Sequence, residues 1–128
     1  MATILIIDDA EDLRVILRHF LEGAGYRVLE AADGEDGLRV WRQGAVDLVI
    51  TDLIMPRKDG FQVITEIRRE RPGAKIMAIS GAGDRGRTNP LGEATRLGAA
   101  RALHKPFDLQ VVLRAVKDLL ALDQEPPP

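Results

Sequence analysis

Asp8–Asp9, Asp52, Ser80 and Lys105 are the residues of this 128-residue chain whose types and spacing could do chemistry. Each sits where an apolar, strand-like run ends, the runs being residues 4–7, 46–51, 74–79 and 100–104. In a parallel sheet the carboxyl ends of the strands share one edge, and ligands bind in the crevice outside it. Three carboxylates, a hydroxyl and an ammonium would then converge. That set suits a divalent cation and a phosphoryl group.

The charges themselves require a partner. Two carboxylates about 4 Å apart repel by about 4 kcal/mol at an effective dielectric near 20, so either one holds a proton or a cation neutralises them. Hard oxygen donors without cysteine favour Mg²⁺ or Mn²⁺. A phosphoryl group beside that metal needs further positive charge and a donor, which Lys105 and Ser80 supply. The plainer alternative is that Asp8–Asp9 caps the first helix, Asp52 opens a turn, and Lys105 and Ser80 are solvated surface residues. Pro106 holds the backbone at Lys105 to extended conformations.

Strand and helix patterns alternate five times. The strands are expected at residues 3–7, 27–31, 46–51, 74–79 and 101–104. The first helix carries Leu13, Ile16, Leu17, Phe20 and Leu21 at three-and-four spacing and stops near Gly23 and Gly25. A second runs from Glu35 to Gly44 with Leu38 and Trp41 packing inward, and a third from Asp59–Gly60 to Pro72–Gly73. Asn89–Pro90 opens a short fourth helix, and Asp108 caps a last one. Short connections between such units imply a parallel sheet with right-handed crossovers. Of the two common doubly wound orders, 2-1-3-4-5 fits five strands without a dinucleotide fingerprint. Its switch point lies between strands one and three, which end in Asp8–Asp9 and Asp52.

Composition narrows the function. The length suits one domain, expected to comprise residues 1–122 with a proline-rich tail at 123–128. A net charge of −2 gives no nucleic-acid footprint, and no apolar run reaches the roughly 20 residues that span a bilayer. The absence of cysteine excludes disulfides, and with no secretory pattern the expectation is a cytoplasmic protein. His19 reads as a surface residue of the first helix, and His104 as structural.

Five pieces, in order, carry a resemblance: Ile7-Asp8-Asp9, the run from Thr51 to Gly60 (TDLIMPRKDG), Ile79-Ser80-Gly81, Leu97-Gly98-Ala99 and Lys105-Pro106-Phe107. Over residues 3 to about 122 the chain resembles a response-regulator receiver domain of the chemotaxis type, a family that the 2-1-3-4-5 flavodoxin-like order also describes. The resemblance implies that Asp52 accepts a phosphoryl group from a sensor histidine kinase or phosphotransfer protein. It implies that Asp9 ligates Mg²⁺ directly, that Asp8 assists, and that the backbone carbonyl of Ile54 is a further ligand. Lys105 would pair with the phosphoryl oxygens and Ser80 would bond one of them. A downstream protein target would read the phosphorylated face, the chain being a monomer or weak dimer and not an enzyme in the turnover sense.

Three positions depart from the family pattern. Ala102 stands where an aromatic side chain three residues before the lysine is common, and a methyl cannot swing between rotamers. The loop after Ser80 is long and rich in glycine (Gly81, Gly83, Gly86), which predicts mobility. Ile54 is apolar where relatives are often polar, and is expected to obstruct attacking water. Two other functions compete. A degenerate receiver would bind partners without chemistry, and a Mg²⁺-dependent aspartyl-phosphate phosphatase would carry a second acid two residues after its nucleophile, where this chain has Ile54.

Overall fold

The computed structural model describes residues 1–81 and 89–121. Among the described residues ten elements alternate: β1 (Thr3–Ile7), α1 (Glu11–Gly23), β2 (Arg27–Ala31), α2 (Gly34–Gln43), β3 (Leu48–Asp52), α3 (Gly60–Glu70), β4 (Ile76–Ser80), α4 (Pro90–Leu97), β5 (Arg101–His104) and α5 (Leu109–Ala121). The strands form one parallel sheet in the order β2-β1-β3-β4-β5. This is the doubly wound architecture that the strand–helix alternation requires.

The period-two alternation of strand side chains divides the core between the two faces of the sheet. Leu5, Ile7, Val49, Ile76 and Ala78 pack beneath α2 and α3 with Leu38, Trp41, Phe61, Ile64 and Ile67. Ile4, Ile6, Leu48, Ile50, Met77 and Ile79 face α1 and α5, meeting Leu17, Leu21, Val112, Val116 and Leu119. Trp41 is therefore a packing residue, with the Arg71 guanidinium 5.6 Å from its ring centre. No helix among the described residues is long and apolar enough to cross a membrane.

Helix starts follow local side-chain chemistry. Asp33 accepts from the Asp36 N–H to cap α2, and Asp59 and Gln62 form a reciprocal capping box on α3. Asn89 caps α4 ahead of Pro90, and the Asp108 carboxylate accepts from the Gln110 N–H at 2.8 Å. The start of α1 differs: its N-cap is Ala10, which supplies no side-chain hydrogen bond.

Two strands begin two residues later than the apolar runs suggest, and each ends one residue later. Val46 and Ala74 are buried but lie outside the ladder, which starts where partners overlap, Leu48 against Ile4 and Val49 against Ile76. Burial without strand pairing satisfies an apolar side chain equally well. Asp47 instead ties this loop to Thr3, donating its N–H to the Thr3 carbonyl at 2.8 Å and accepting the Thr3 N–H on Oδ2 at 2.7 Å. Asp52 and Ser80 thus become the final residues of β3 and β4, so the pleat fixes their directions. The second helix starts at Gly34, one residue before Glu35, because Asp33 caps it. Beyond Gly81, the glycine-rich loop lies outside the described residues, as does the tail at 123–128.

Candidate functional site

Parallel pairing brings the strand-end residues together. In the ladder Ile7 sits opposite Thr51, Asp52 opposite Ile79, and Ser80 opposite His104. Asp8, Asp9 and Asp52 each place a carboxylate oxygen within 4.8 Å of those of the other two. Asp8 and Ser80 are fully buried, Asp52 is 6% exposed, and Asp9 faces solvent.

Each carboxylate is oriented by specific bonds. Asp8 Oδ1 accepts from the Ala10 N–H at 2.8 Å, while Oδ2 accepts from Lys105 Nζ at 3.0 Å. The helix cap considered for Asp8–Asp9 is not what forms, since Ala10 is the N-cap of α1, and the local bond from Asp8 to the Ala10 N–H occupies one oxygen only. Behind it, Arg14 donates to the Asp8 carbonyl at 2.6 Å and pairs with Glu30 at 3.1 Å. Asp52 Oδ1 accepts from the Leu53 N–H at 2.8 Å, and Oδ2 lies 3.3 Å from Lys105 Nζ. Lys105 reaches both acids from the far end of the chain, its own N–H donating to the Ser80 carbonyl at 2.7 Å. The Lys105–Pro106 peptide is cis.

The electrostatics follow from this crowding. Burial, and next the charge of Asp8, push the Asp52 carboxyl up to about 6 against the opposing pull of Lys105. Burial also works against the Lys105 ammonium. Its hydrogen bond to Asp8 and the charges of Asp52 and Asp8 outweigh that cost, and its pKa lies above the ordinary lysine value. Among the described residues, three carboxylates meet one ammonium, Lys105, bonded to two of them, a local deficit of two positive charges. That deficit, hard oxygen donors and one solvent-facing acid fit a small dication that keeps several waters.

Gly60 determines how closely the third helix approaches. A Cβ there would stand 2.1 Å from the Asp52 carbonyl oxygen and 2.7 Å from Leu53 Cα, so only glycine lets α3 start directly against the site. Its N–H donates to the Leu53 carbonyl at 2.8 Å. Ile54, two residues beyond Asp52, is 39% exposed. Ala102 is half-buried against the α2–α3 side of the core. His19 is exposed on α1, and His104 sets Nδ1 3.2 Å from the Ser80 carbonyl oxygen, which suits a structural role.

Sequence reasoning did not single out Asp33, Arg57 or Arg14, and it placed Gly60 at the start of the third helix without its close approach to Asp52. Asp33–Gly34 carries a helix-cap signal that was available. The pairing of Arg57 with Asp33 and the Arg14 bond to Asp8 depend on tertiary placement alone.

The sheet order and the acidic crevice at its switch point define a flavodoxin-like (βα)₅ domain of the receiver type. Residues 4–117 match the response regulator receiver domain, and the chain belongs to that family. It is similar to the transcriptional regulatory protein GlrR of Escherichia coli, 36% identical over 126 residues, which cover 98% of this chain and 27% of that protein. The chain thus spans about a quarter of GlrR's length. A receiver domain protein from Clostridium thermocellum superposes with a TM-score of 0.89 at 29% identity, covering 97% of this chain and 98% of that one. The response regulator TrrA of Thermotoga maritima, solved in complex with Mg²⁺–BeF, gives 0.81 at 32% identity over 93% and 99% of the two chains.

Proposed function

We propose that this chain is a phosphoacceptor receiver in a two-component phosphorelay, with Asp52 as the acceptor. The observation that carries the reading is the Asp52 carboxylate at the switch point, 3.3 Å from Lys105 Nζ and clustered with Asp8 and Asp9. The donor would be a phosphohistidine on a cytoplasmic sensor kinase or phosphotransfer protein. One Asp52 oxygen forms a bond to phosphorus as the N–P bond breaks, and the imidazole, protonated on its other nitrogen, leaves neutral.

The residues divide the work. Lys105 favours the ionised, nucleophilic form of Asp52 and faces the incoming phosphoryl oxygens. Ser80, at the neighbouring strand end, supplies a hydroxyl toward the transferred group. Asp8, Asp9, Asp52 and the Ile54 carbonyl would hold Mg²⁺, which when bound supplies Lewis acidity and offsets charge on the phosphoryl group. That a similar protein, TrrA, was solved in complex with Mg²⁺–BeF supports Mg²⁺ as the cation. Residues 1–122 would form the receiver unit, and the message would pass to a downstream protein through the phosphorylated face.

Intact mass after incubation with acetyl phosphate and Mg²⁺ tests the proposal. Wild type should gain one phosphoryl group and Asp52→Asn none. Labelling of both proteins, or of neither, would sink it. Sustained turnover of small phosphomonoesters would favour a phosphatase instead.

A further inference from the structure

Among the described residues Arg57 is the one non-glycine residue with positive φ, at 68°. That region suits glycine or asparagine and is unfavourable for a long side chain, so the surroundings must impose it. Arg57 stands five residues after Asp52 and three after Ile54. Its guanidinium reaches across to the start of α2, where Nε donates to Asp33 Oδ2 at 3.0 Å and Nη2 bonds the same oxygen. The Asp33 side chain is 5% exposed, and its Oδ1 already caps α2 by accepting the Asp36 N–H at 2.9 Å. The two carboxylate oxygens are thus assigned to two separate jobs.

The next residue is fixed as well. The Lys58 carbonyl oxygen lies where a Cβ on Gly34 would be, 2.0 Å from that position, and Lys58 Nζ donates to Glu66 at 2.6 Å. On the other side of the loop, Leu53 is fully buried, with its N–H on the Ile79 carbonyl at 3.1 Å. Residues 54–56 therefore bridge two anchored points. Between them Met55 is buried in the core, whereas the part-exposed Ile54 side chain adds little, so the ion pair completes the fixing of a loop already pinned at one side chain.

We propose that the Arg57–Asp33 ion pair is a latch that positions the β3–α3 loop, and with it the Ile54 carbonyl, for a divalent cation in the acidic crevice. The inference rests on the reading of Asp8, Asp9, Asp52 and Ile54 as cation ligands. Arg57 is a positioning residue in this account and touches neither metal nor phosphoryl group.

A latch and a through-space charge effect differ in sign. Removing Arg57 leaves the negative Asp33 behind and, by charge alone, would strengthen cation binding. Neutralising Asp33 leaves Arg57 positive and would weaken it. A latch weakens binding in both cases. Two substitutions isolate the effect: Arg57→Gly accepts the positive φ without strain, and Asp33→Asn keeps a good helix cap while removing the charge.

The test is Mn²⁺ binding to the 128-residue chain, read from the loss of the free-ion EPR signal and repeated by Mg²⁺ competition, in about 0.15 M salt to damp long-range charge effects. Each single variant should bind about three- to tenfold more weakly, less than the ten- to hundredfold loss typical of groups bonded directly to a metal ligand. The double variant should be no weaker than the worse single, since both break one interaction. Urea unfolding in EDTA should show both variants fully folded without denaturant, though less stable than wild type because each leaves one partner of a part-buried pair behind, so lost affinity is read on folded protein. Affinities that move in opposite directions, do not move, add in the double variant, or fall only in proportion to an unfolded fraction would overturn the latch. If wild type binds no Mn²⁺ at all, the cation-site reading itself fails and the latch fails with it.

Discussion

Replacing Asp52 with asparagine should make the metal-free protein more stable. The native Asp52 carboxyl titrates at about 6, against 3.8 for an unperturbed one, chiefly because it is buried and secondly because Asp8 is charged beside it. At about 1.4 kcal/mol per pH unit, that difference corresponds to about 3 kcal/mol of native-state destabilisation once the group is ionised. The lost attraction to Lys105 is already contained in that difference; asparagine keeps an oxygen for the Leu53 N–H, but its NH₂ then faces Lys105 without an acceptor, while Lys105 retains Asp8 at 3.0 Å. The net gain should therefore be about 1–3 kcal/mol. The sign sets the pH window: the native state holds this proton more tightly than the unfolded chain does. Its destabilising effect is absent below 3.8, grows as the pH rises toward 6, and is complete above it. Urea unfolding in EDTA, followed by far-UV circular dichroism from pH 4 to 7.5, should show the two proteins converging at the acid end and separating at the neutral end. Mg²⁺ should narrow the gap at pH 7.5 by stabilising the wild type through binding. A variant no more stable than wild type at pH 7.5, or a gap that ignores pH, would refute the reasoning.

Two further outcomes follow from the site's packing. Gly60→Ala places a Cβ 2.1 Å from the Asp52 carbonyl oxygen, so it should cost about 2–4 kcal/mol in urea unfolding and weaken Mn²⁺ binding. Gly73→Ala, which meets nothing within 4 Å, should leave both nearly unchanged and serves as its control. Ile54→Asn, at an exposed position two residues after Asp52, should speed loss of the phosphoryl group several-fold, by about 1 kcal/mol of barrier, because a polar side chain can orient attacking water and isoleucine cannot. Single-turnover dephosphorylation after acetyl phosphate removal reads this directly, and an unchanged or slower rate contradicts it.

The helix beginnings show what local chemistry could announce. Asp59 with Gln62, Asn89 with Pro90, and Asp108 each satisfy open N–H groups within three residues of themselves, so their signals survive in a one-dimensional string. Strand beginnings were less legible. Val46 and Ala74 are apolar and buried like the residues of the strands that follow them, yet lie outside the ladder, because hydrophobicity records burial and not which N–H meets which carbonyl. The acids at the ends of β1 and β3 could be read because a parallel sheet aligns its carboxyl edge whatever the details of its loops.

By itself, the sequence determined the alternation of strands and helices, the sheet order it favours, and the set of residues that meet at one edge. Those follow from periodicity, caps and turn residues, which are local. Tertiary structure alone decided that Lys105 divides its ammonium between Asp8 and Asp52, that Asp52 holds its proton more tightly than an ordinary carboxyl, and that Arg57 reaches Asp33. Each of these is an interaction across tens of residues, with Asp8 and Lys105 97 positions apart. Its energy depends on ångström separations and on exclusion of water. Crossovers and packing set both, and no spacing along the chain encodes them.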